Sequence, residues 1–412
     1  MKKLMLPLII IFLSACGLPD GEVNTPSNDQ AVLEFYTPKV ETEPLFDELI
    51  QEFEADNPGV DIRQVVVPGG MTVLKTRMAR GDVPDLFVTY PIEQDYVIRA
   101  EKGYLMDVTN ESFVSRVEPS IQERYLVDDR MYGIALTQNA VGVLYNKGHF
   151  EKLGLSVPKT WDEWLETMET LKASGHTPLI MPNGDVEQSG IFTMNFVANE
   201  FSEDYWQADS YEIEGNEEWQ ALSEKILSVL PYAQETASED SYTQAGGRFA
   251  REEGSMYVMG TWALPLIESI NPSLDYGIFP FPADELEENP VLGGVDIGIA
   301  ISSSTAHPEV AKAFLSFLTE EEQASRISNF EGSISTIQGV ELSHPATTEL
   351  QEQIQAGQAV NWPNHYWDGG TAAETDYRAQ TFQFLADQDI EGYLADLEEM
   401  FEQYQREAGE RP

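Results

Sequence analysis

Residues 31–90 decide the fold, and they read AVLEFYTPKVETEPLFDELIQEFEADNPGVDIRQVVVPGGMTVLKTRMARGDVPDLFVTY. Three runs rich in apolar and β-branched residues predict strands over residues 32–36, 60–67 and 86–90. Two segments between them have apolar side chains at helical spacing and predict helices over residues 44–57 and 74–80. This strand-helix alternation predicts an α/β fold with a parallel sheet and right-handed crossovers.

Ligands of such sheets bind beyond the carboxyl ends of the strands. The side chains that follow the first and third strands are therefore candidates to contact a ligand. They are Tyr36, Thr37, Lys39, Thr89, Tyr90 and Glu93.

The rest of the chain continues the mixed pattern. Further strands are predicted over residues 132–146 and 255–259, and further helices over 160–172, 308–318, 320–330 and 371–406. A chain of 412 residues is long enough for two lobes, each with its own core.

The N-terminus predicts secretion and lipid attachment. Lys2 and Lys3 precede a short apolar run, which is typical of a signal peptide over residues 1–15 and too short to span a bilayer. Residues 13–16, Leu-Ser-Ala-Cys, resemble the lipobox of bacterial lipoproteins, and Cys16 is the only cysteine. We therefore expect a lipid on Cys16, a flexible tether over residues 16–30, and attachment to the outer face of a cell membrane, at a Gram-positive surface.

The charge balance argues against several partners. The chain has 24 Lys and Arg against 71 Asp and Glu, a formal net charge of −47. Such a field repels nucleic acid and anionic membrane surfaces. The acidic residues are spread along the chain and indicate a solvated surface suited to a saline or an alkaline habitat, two alternatives that the sequence leaves open.

Common catalytic motifs are missing from the sequence. It contains no Gly-x-Ser-x-Gly, no His-Glu-x-x-His and no phosphate-binding loop. The five histidines have no metal-ligand spacing, and a single cysteine excludes a cysteine-rich metal site. We expect no enzyme activity, no cofactor and no metal site.

Six segments in order resemble one known family. Residues 135–152, ALTQNAVGVLYNKGHFEK, are similar to the signature of the family 1 extracellular solute-binding proteins of bacterial ABC transporters, the maltose and multiple-sugar type. The other similar segments are residues 53–60, 81–86, 157–163, 249–262 and 293–299. The resemblance extends over residues 32–403, which is most of the chain.

The resemblance implies a two-lobed, type II periplasmic-binding-protein-like fold, with a mostly parallel sheet flanked by helices in each lobe and a ligand cleft between them. The expected lobes are residues 31–136 with 297–338, and 139–293 with 342–412. The expected hinge crossings lie near residues 136–139, 293–296 and 335–341. The family further implies a monomer that closes on a carbohydrate and delivers it to ABC permease subunits.

Sugar binding needs aromatic faces for C–H groups and planar polar groups for hydroxyls. Trp262 matches the family tryptophan that stacks on a sugar ring. Trp362 and Trp367 lie in an aromatic-rich polar loop, and three loop tryptophans favour an oligosaccharide. The other candidates at the crossings are Asp296, Gly294, Gln138 and Asn139.

Other functions stay open at this point. The acidic field also suits a cationic solute such as a polyamine. A sugar sensor or a glycan-active enzyme would share many sequence features, and with 71 carboxylates the number of acidic pairs decides nothing.

Overall fold

The computed structural model describes residues 30–68, 70–90, 94–206, 208, 210–283, 290–341, 344–355 and 359–409. The predicted signal peptide, Cys16 and most of the tether lie outside the described residues, as does the ligand candidate Glu93.

The strands of the described chain run in the order Ala31–Thr37 (β1), Val60–Val66 (β2), Leu86–Val88 (β3), Leu126–Val127 (β4), Arg130–Met131 (β5), Ile134–Ala135 (β6), Thr137–Asn146 (β7), Leu179–Ile180 (β8), Met256–Gly260 (β9), Tyr276–Phe279 (β10), Val291–Val295 (β11), Gly298–Ile301 (β12), Ile334–Ser335 (β13) and Ala359–Val360 (β14).

The α-helices are Glu43–Asp56 (α1), Met71–Ala79 (α2), Gln94–Glu101 (α3), Pro119–Arg124 (α4), Lys147–Leu153 (α5), Trp161–Ala173 (α6), Val186–Glu200 (α7), Glu203–Trp206 (α8), Glu217–Val229 (α9), Tyr242–Ala250 (α10), Leu264–Ile270 (α11), Pro308–Leu318 (α12), Glu321–Glu331 (α13), Thr348–Gln355 (α14), Thr371–Asp387 (α15) and Ile390–Gly409 (α16). Short 3-10 turns lie at Ser112–Arg116, Leu230–Tyr232, Thr261–Ala263, Pro345–Thr347 and Pro363–His365.

The N-terminal lobe is built on the sheet β2-β1-β3-β12-β6. Strand β1 pairs in parallel with β2 and β3, as the opening sequence predicts, and β12 runs antiparallel to β3 and β6. Helix α1 covers this sheet because its apolar residues recur at helical spacing. Phe46 and Phe53 of α1 pack against Phe35 and Phe314, with ring centroids 5.2 Å apart in both pairs.

The C-terminal lobe is built on the sheet β14-β11-β7-β9-β8. Strand β7 is antiparallel to β9 and β11, whereas β8 is parallel to β9 and β14 is parallel to β11. The strands β8, β9, β11 and β14 therefore end at the same edge. Strand β7 begins at that edge, directly after the chain arrives from the first lobe, so the edge borders the cleft between the lobes.

The chain passes between the two sheets at Leu136, between β6 and β7, and at Asp296, between β11 and β12. A third connection follows α13, where β13 pairs with β7 and the carbonyl of Thr336 accepts a hydrogen bond from the Glu118 amide at 2.8 Å. The first two connections are one and two residues long, so at these points the lobes can change their angle only through a few residues.

The lobes also touch away from the crossings. The hydroxyl of Thr371, at the start of α15, donates a hydrogen bond to the carboxylate of Asp95 in α3 at 3.1 Å. Asp95 also pairs with Lys75 at 3.2 Å. The two lobes are therefore in contact at this position as well as at the crossings. Within the described part of the chain, no helix combines the length and apolar character needed to span a membrane.

Candidate functional site

An indole lies against the end of β9 in the cleft wall of the C-terminal lobe. Trp262 follows β9, and its ring covers Gly260 so closely that a Cβ on Gly260 would sit 1.8 Å from the Cζ3 atom of Trp262. Only glycine permits this contact, because any side chain would push the ring away. The sequence Gly-Thr-Trp thus fixes the position of the indole through the residue two places before it.

A second indole completes the wall. Trp362 follows β14, and its ring centroid lies 6.2 Å from that of Trp262 with the planes inclined by 40°. Gly294 of β11 lies beneath it, because a Cβ there would be 3.2 Å from the Cδ1 atom of Trp362 and 3.5 Å from the Cε1 atom of His365. Both indoles are half-buried. We refer to Trp262 and Trp362 as the indole pair.

Buried polar atoms without a partner gather at the same edge. Asn139 lies near the start of β7, Asn183 follows β8, and Gln188 belongs to the first turn of α7. Within the described chain no hydrogen bond reaches Asn139 Oδ1, Asn183 Oδ1, Gln188 Oε1 or Asp296 Oδ2. Leaving such atoms unpaired costs about 1–3 kcal/mol each, so a ligand that supplies their partners recovers that free energy.

A charged group occupies the floor of the cleft, and we call it the hinge cluster: Lys39, Glu41, Asp296 and Glu331. The ammonium of Lys39 contacts Asp296 Oδ1 and Glu331 Oε1 at 2.7 Å each, and Glu41 Oε1 at 3.7 Å. The second oxygen of Glu331 accepts hydrogen bonds from the hydroxyls of Thr137 at 3.0 Å and Ser333 at 3.1 Å.

Burial shapes the titration of the hinge cluster. Burial alone would lower the pKa of Lys39, but the Asp296 and Glu331 carboxylates outweigh it and hold that pKa well above its ordinary value. Burial raises the pKa of Glu331 to about 7 even though Lys39 opposes the shift. Burial also raises the pKa of Glu41. The cluster therefore keeps its lysine charged while one carboxyl titrates near neutrality.

Tyr242, the first residue of α10, faces the cluster from the C-terminal lobe. Burial and then the charge of Glu41 raise the pKa of its hydroxyl. The same hydroxyl is 3.4 Å from the backbone oxygen of Trp262. Tyr242 thus connects the indole pair with the charged floor.

The structure corrects two predicted ligand contacts. Trp367 is 4 % exposed and packs in the core of the C-terminal lobe, with ring centroids 4.9 Å from Tyr377 and 5.0 Å from Phe401. Tyr36 is fully buried in the N-terminal lobe, and its hydroxyl donates to the carbonyl of Gly70 at 2.8 Å. Both side chains stabilise a lobe instead of lining the cleft.

The other predicted residues fall at or near the cleft floor. Thr37 accepts a hydrogen bond from the Lys39 amide at 3.1 Å and so shapes the turn that delivers Lys39. The hydroxyl of Thr89 is buried without a partner among the described residues. Tyr90 lies close enough to Lys39 to raise its pKa. Gln138, half-buried, is paired with Val295 between β7 and β11.

Sequence reasoning missed several residues of this site. Glu331 ends a helix whose pattern gives no hint that its carboxylate turns inward to Lys39. Asn183 and Gln188 were missed because β8 has only two residues and is too short to recognise. The turn sequence Pro-Asn-Gly-Asp at residues 182–185, directly before α7, is the signal that would have indicated a strand end there.

The hinge cluster contains carboxylates, which are possible metal ligands. Among the residues with described side chains, no three His, Cys, Asp or Glu are grouped so that they could hold a metal ion. The carboxylates of the hinge cluster are instead bonded to Lys39.

Comparison with known proteins gives a consistent result. A curated relative, the multiple sugar-binding protein of Streptococcus mutans, is 26% identical over 406 residues, which cover 96% of this chain and 95% of the relative. The Bacillus subtilis melibiose/raffinose/stachyose-binding protein MelE is 20% identical over 79% of this chain and 78% of its own length.

Solved structures agree. RafE in complex with raffinose matches with a TM-score of 0.82 and 28% identity, covering 91% of this chain and all of that one. Ligand-free RafE from Streptococcus pneumoniae matches at 0.74 and 28%, covering 92% and 98%. The two lobes form a type II periplasmic-binding-protein fold. The sequence model described as bacterial extracellular solute-binding protein matches residues 39–325, and the chain belongs to this family.

Proposed function

We propose that this protein captures an oligosaccharide in the cleft between its lobes and delivers it to an ABC import permease. One observation carries the proposal: the indole pair stands beside buried polar atoms that have no partner in the described chain. A sugar offers an apolar C–H face and a rim of hydroxyls, which is the complement of this wall.

The chemistry of each part fits a carbohydrate. The half-buried indoles of Trp262 and Trp362 present rigid apolar faces that lose little entropy on binding. Asn139, Asn183 and Gln188 offer carbonyl oxygens, and Asp296 offers a carboxylate oxygen, all of which accept hydrogen bonds from hydroxyls.

The relatives support the same class of ligand. Their names refer to multiple sugars and to raffinose, melibiose and stachyose, and these ligands are theirs. The lobes here superpose better on RafE with raffinose than on ligand-free RafE, with TM-scores of 0.82 and 0.74. This favours a closed arrangement in which both lobes surround a ligand, as transport by hinge closure requires.

Titration calorimetry tests the proposal directly. We expect the purified protein to bind raffinose or stachyose, and Trp262→Ala to weaken binding by about thirtyfold, which is about 2 kcal/mol for a central aromatic contact. Tyr232→Ala is the matched control, because Tyr232 is half-buried beside α6, where its hydroxyl contacts Glu169. Ala233 there bridges to Leu179, at the opposite end of β8 from the cleft.

The outcomes separate the ligand classes. An equal loss of sugar affinity in Trp262→Ala and Tyr232→Ala would argue against the indole pair as the surface that binds the sugar. Binding of spermidine without binding of any sugar would replace the carbohydrate by a cationic solute while leaving the family unchanged.

Delivery to a permease requires the protein to stay near the membrane. We propose that a lipid on Cys16 anchors it to the extracytoplasmic face, with residues 17–30 as a tether. The test is expression in a Gram-positive host with radiolabelled palmitate. Label in the membrane-bound protein, with Cys16→Ala unlabelled and released to the medium, is the expected result. Unlabelled protein in both cases would exclude the anchor.

A further inference from the structure

We propose that Lys39 is a positioning residue for ligand capture: it joins the three interlobe crossings at one point and presents Asp296 to the ligand. This inference rests on the proposed function, because the affinity for an oligosaccharide is one of its readouts. It concerns a side chain whose charge is paired with carboxylates inside the protein.

The contacts of the hinge cluster reach every crossing. Asp296 lies in the second crossing and bonds Lys39 directly at 2.7 Å. Glu331 bonds Lys39 through one oxygen and holds Thr137, at the first crossing, through the other. Ser333, at the entry to the third connection, donates to that same oxygen at 3.1 Å. Lys39 therefore contacts the second crossing directly through Asp296 and is linked to the other two through Glu331.

The first two crossings are also bonded to each other. The amide of Asp296 donates to the carbonyl of Thr137 at 2.9 Å, and the amide of Ile297 donates to the Thr137 hydroxyl at 3.2 Å. Lys39 thus reinforces a junction that the backbone has already formed. Its loss would leave the carboxylates of Asp296 and Glu331 facing each other without a cation.

The arrangement also determines how Asp296 meets a ligand. Lys39 engages Oδ1 of Asp296, and no described residue bonds Oδ2. Asp296 is 5 % exposed, so its rotation is confined by packing as well as by Lys39. One oxygen is therefore held by the protein and the other remains available to accept a hydrogen bond.

Titration supplies a readout that a purely structural role would not move. The groups that face Glu331 are Lys39, Glu41 and Asp296, with Thr137 and Ser333 as neutral donors. Tyr90 and Tyr242 face the same lysine from other elements. Because burial raises the pKa of Glu331, acidification neutralises Glu331 at a higher pH than an exposed glutamate and removes one of the two closest ion pairs of Lys39. Ligand affinity should therefore fall on acidification.

The binding experiment uses raffinose and stachyose as probes at pH 8 and pH 6. Lys39→Met should weaken sugar binding at least about tenfold. Lys39→Arg should weaken it less than Lys39→Met does, because Arg keeps the charge. Glu331→Gln should weaken binding less than Lys39→Met and abolish the pH dependence. Lys312→Met is the matched control, since Lys312 also pairs with two carboxylates, those of Glu111 and Glu309, but on α12.

A second measurement needs no ligand. Cys16→Ser removes the only cysteine, and Ala79→Cys with Ala379→Cys then places one spin label on an exposed site of each lobe. We expect a narrow distribution of interlobe distances in the presence of Lys39 and a broad one in Lys39→Met. The double variant Lys39→Met/Glu331→Gln removes one charge of each sign, so it keeps the experiment valid if the single variant does not fold.

The two readouts separate the proposals. If the unchanged protein binds none of the sugars, the proposed function fails, and the distance distributions alone decide the role of Lys39. Lys39→Met and Lys312→Met with the same affinity, the same pH profile and the same distance distribution would overturn the assignment of Lys39.

Discussion

Trp362 and Trp367 lie in one loop, five residues apart, and have opposite surroundings. Trp362 is half-buried and lies beside Trp262 and above Gly294 in the cleft wall. Trp367 is 4 % exposed and packs against Trp206, with ring centroids 5.6 Å apart, and against Phe401. The same residue type in the same loop therefore lies in the cleft wall at one position and in the core at the other, and we propose that only the first contacts a ligand.

The backbone between the two tryptophans explains the difference. The 3-10 turn Pro363–His365 separates them. Trp362 precedes the turn and continues from β14 toward the cleft, whereas Trp367 follows it and meets α15 and α16. An aromatic-rich loop thus predicts that rings are present, but the turn decides which neighbours each ring meets.

The largest expected effect comes from Trp367→Ala. Removing a fully packed indole should lower the free energy of unfolding by about 3–5 kcal/mol, because the cavity is lined by rings that cannot close it. Urea denaturation followed by circular dichroism measures this, with Trp367→Phe as the conservative control. Below the unfolding transition, raffinose affinity should stay unchanged. A tenfold loss of raffinose affinity in folded Trp367→Ala would show that Trp367 contributes to ligand binding.

The sequence was sufficient for the elements of residues 31–90 because its evidence there is periodic. These strands and helices appear within a few residues of where the apolar spacing predicts them, and β1 pairs in parallel with β2 and β3 as the predicted crossovers require. The two-lobed architecture was expected only from the chain length and the family resemblance. The direction of β7 was beyond this reasoning. Its antiparallel pairing with β9 and β11 depends on contacts between residues more than a hundred positions apart.

For the site, sequence predicted strand ends better than side-chain partners. Trp262 was identified from its match to the family tryptophan, and Asp296 from its place at a predicted crossing. In the structure Trp262 follows β9 and Asp296 connects β11 with β12. Tyr36 was a candidate because it ends a predicted strand, but its side chain lies in the core. Phe35 and Tyr36 are both fully buried, so both faces of β1 are covered at this point. The contact between Lys39 and Glu331 joins residues 292 positions apart and leaves no local trace in the sequence.

Trp362→Ala tests the cleft half of the comparison between Trp362 and Trp367. We expect raffinose affinity to fall about tenfold, which is about 1.4 kcal/mol, because one wall of the indole pair is removed. The free energy of unfolding should fall by clearly less than in Trp367→Ala, since Trp362 is only half-buried. Calorimetry and urea denaturation on both variants give the two numbers. A stability loss equal to that of Trp367→Ala, with affinity intact, would break the distinction.

Gly369→Ala tests how the same loop packs against the core and leaves both tryptophans unchanged. Its φ is +90°, and a Cβ there would lie 2.2 Å from the Cδ1 atom of Tyr404 in α16. Gly369→Ala should therefore cost about 1–3 kcal/mol of stability from backbone strain and displaced packing. Thermal unfolding measures the loss, with Gly409→Ala as the control because nothing lies within 4 Å of a Cβ at Gly409. Equal melting temperatures for the two variants would contradict this account of the loop.

Gly294→Ala is the smallest and most selective change. Its backbone φ lies outside the left-handed region, so alanine adds no strain, and the new Cβ meets Trp362 Cδ1 at 3.2 Å. Trp362 has to shift by a few tenths of an ångström, and we expect about a threefold loss of raffinose affinity with unchanged stability. Gly148→Ala is the matched control, because its Cβ also meets a neighbour at 3.2 Å, Asn146 Oδ1, but in α5. If both alanine variants bind raffinose equally well, Trp362 tolerates the displacement, and its contribution to binding depends on contact area instead of on a fixed ring position.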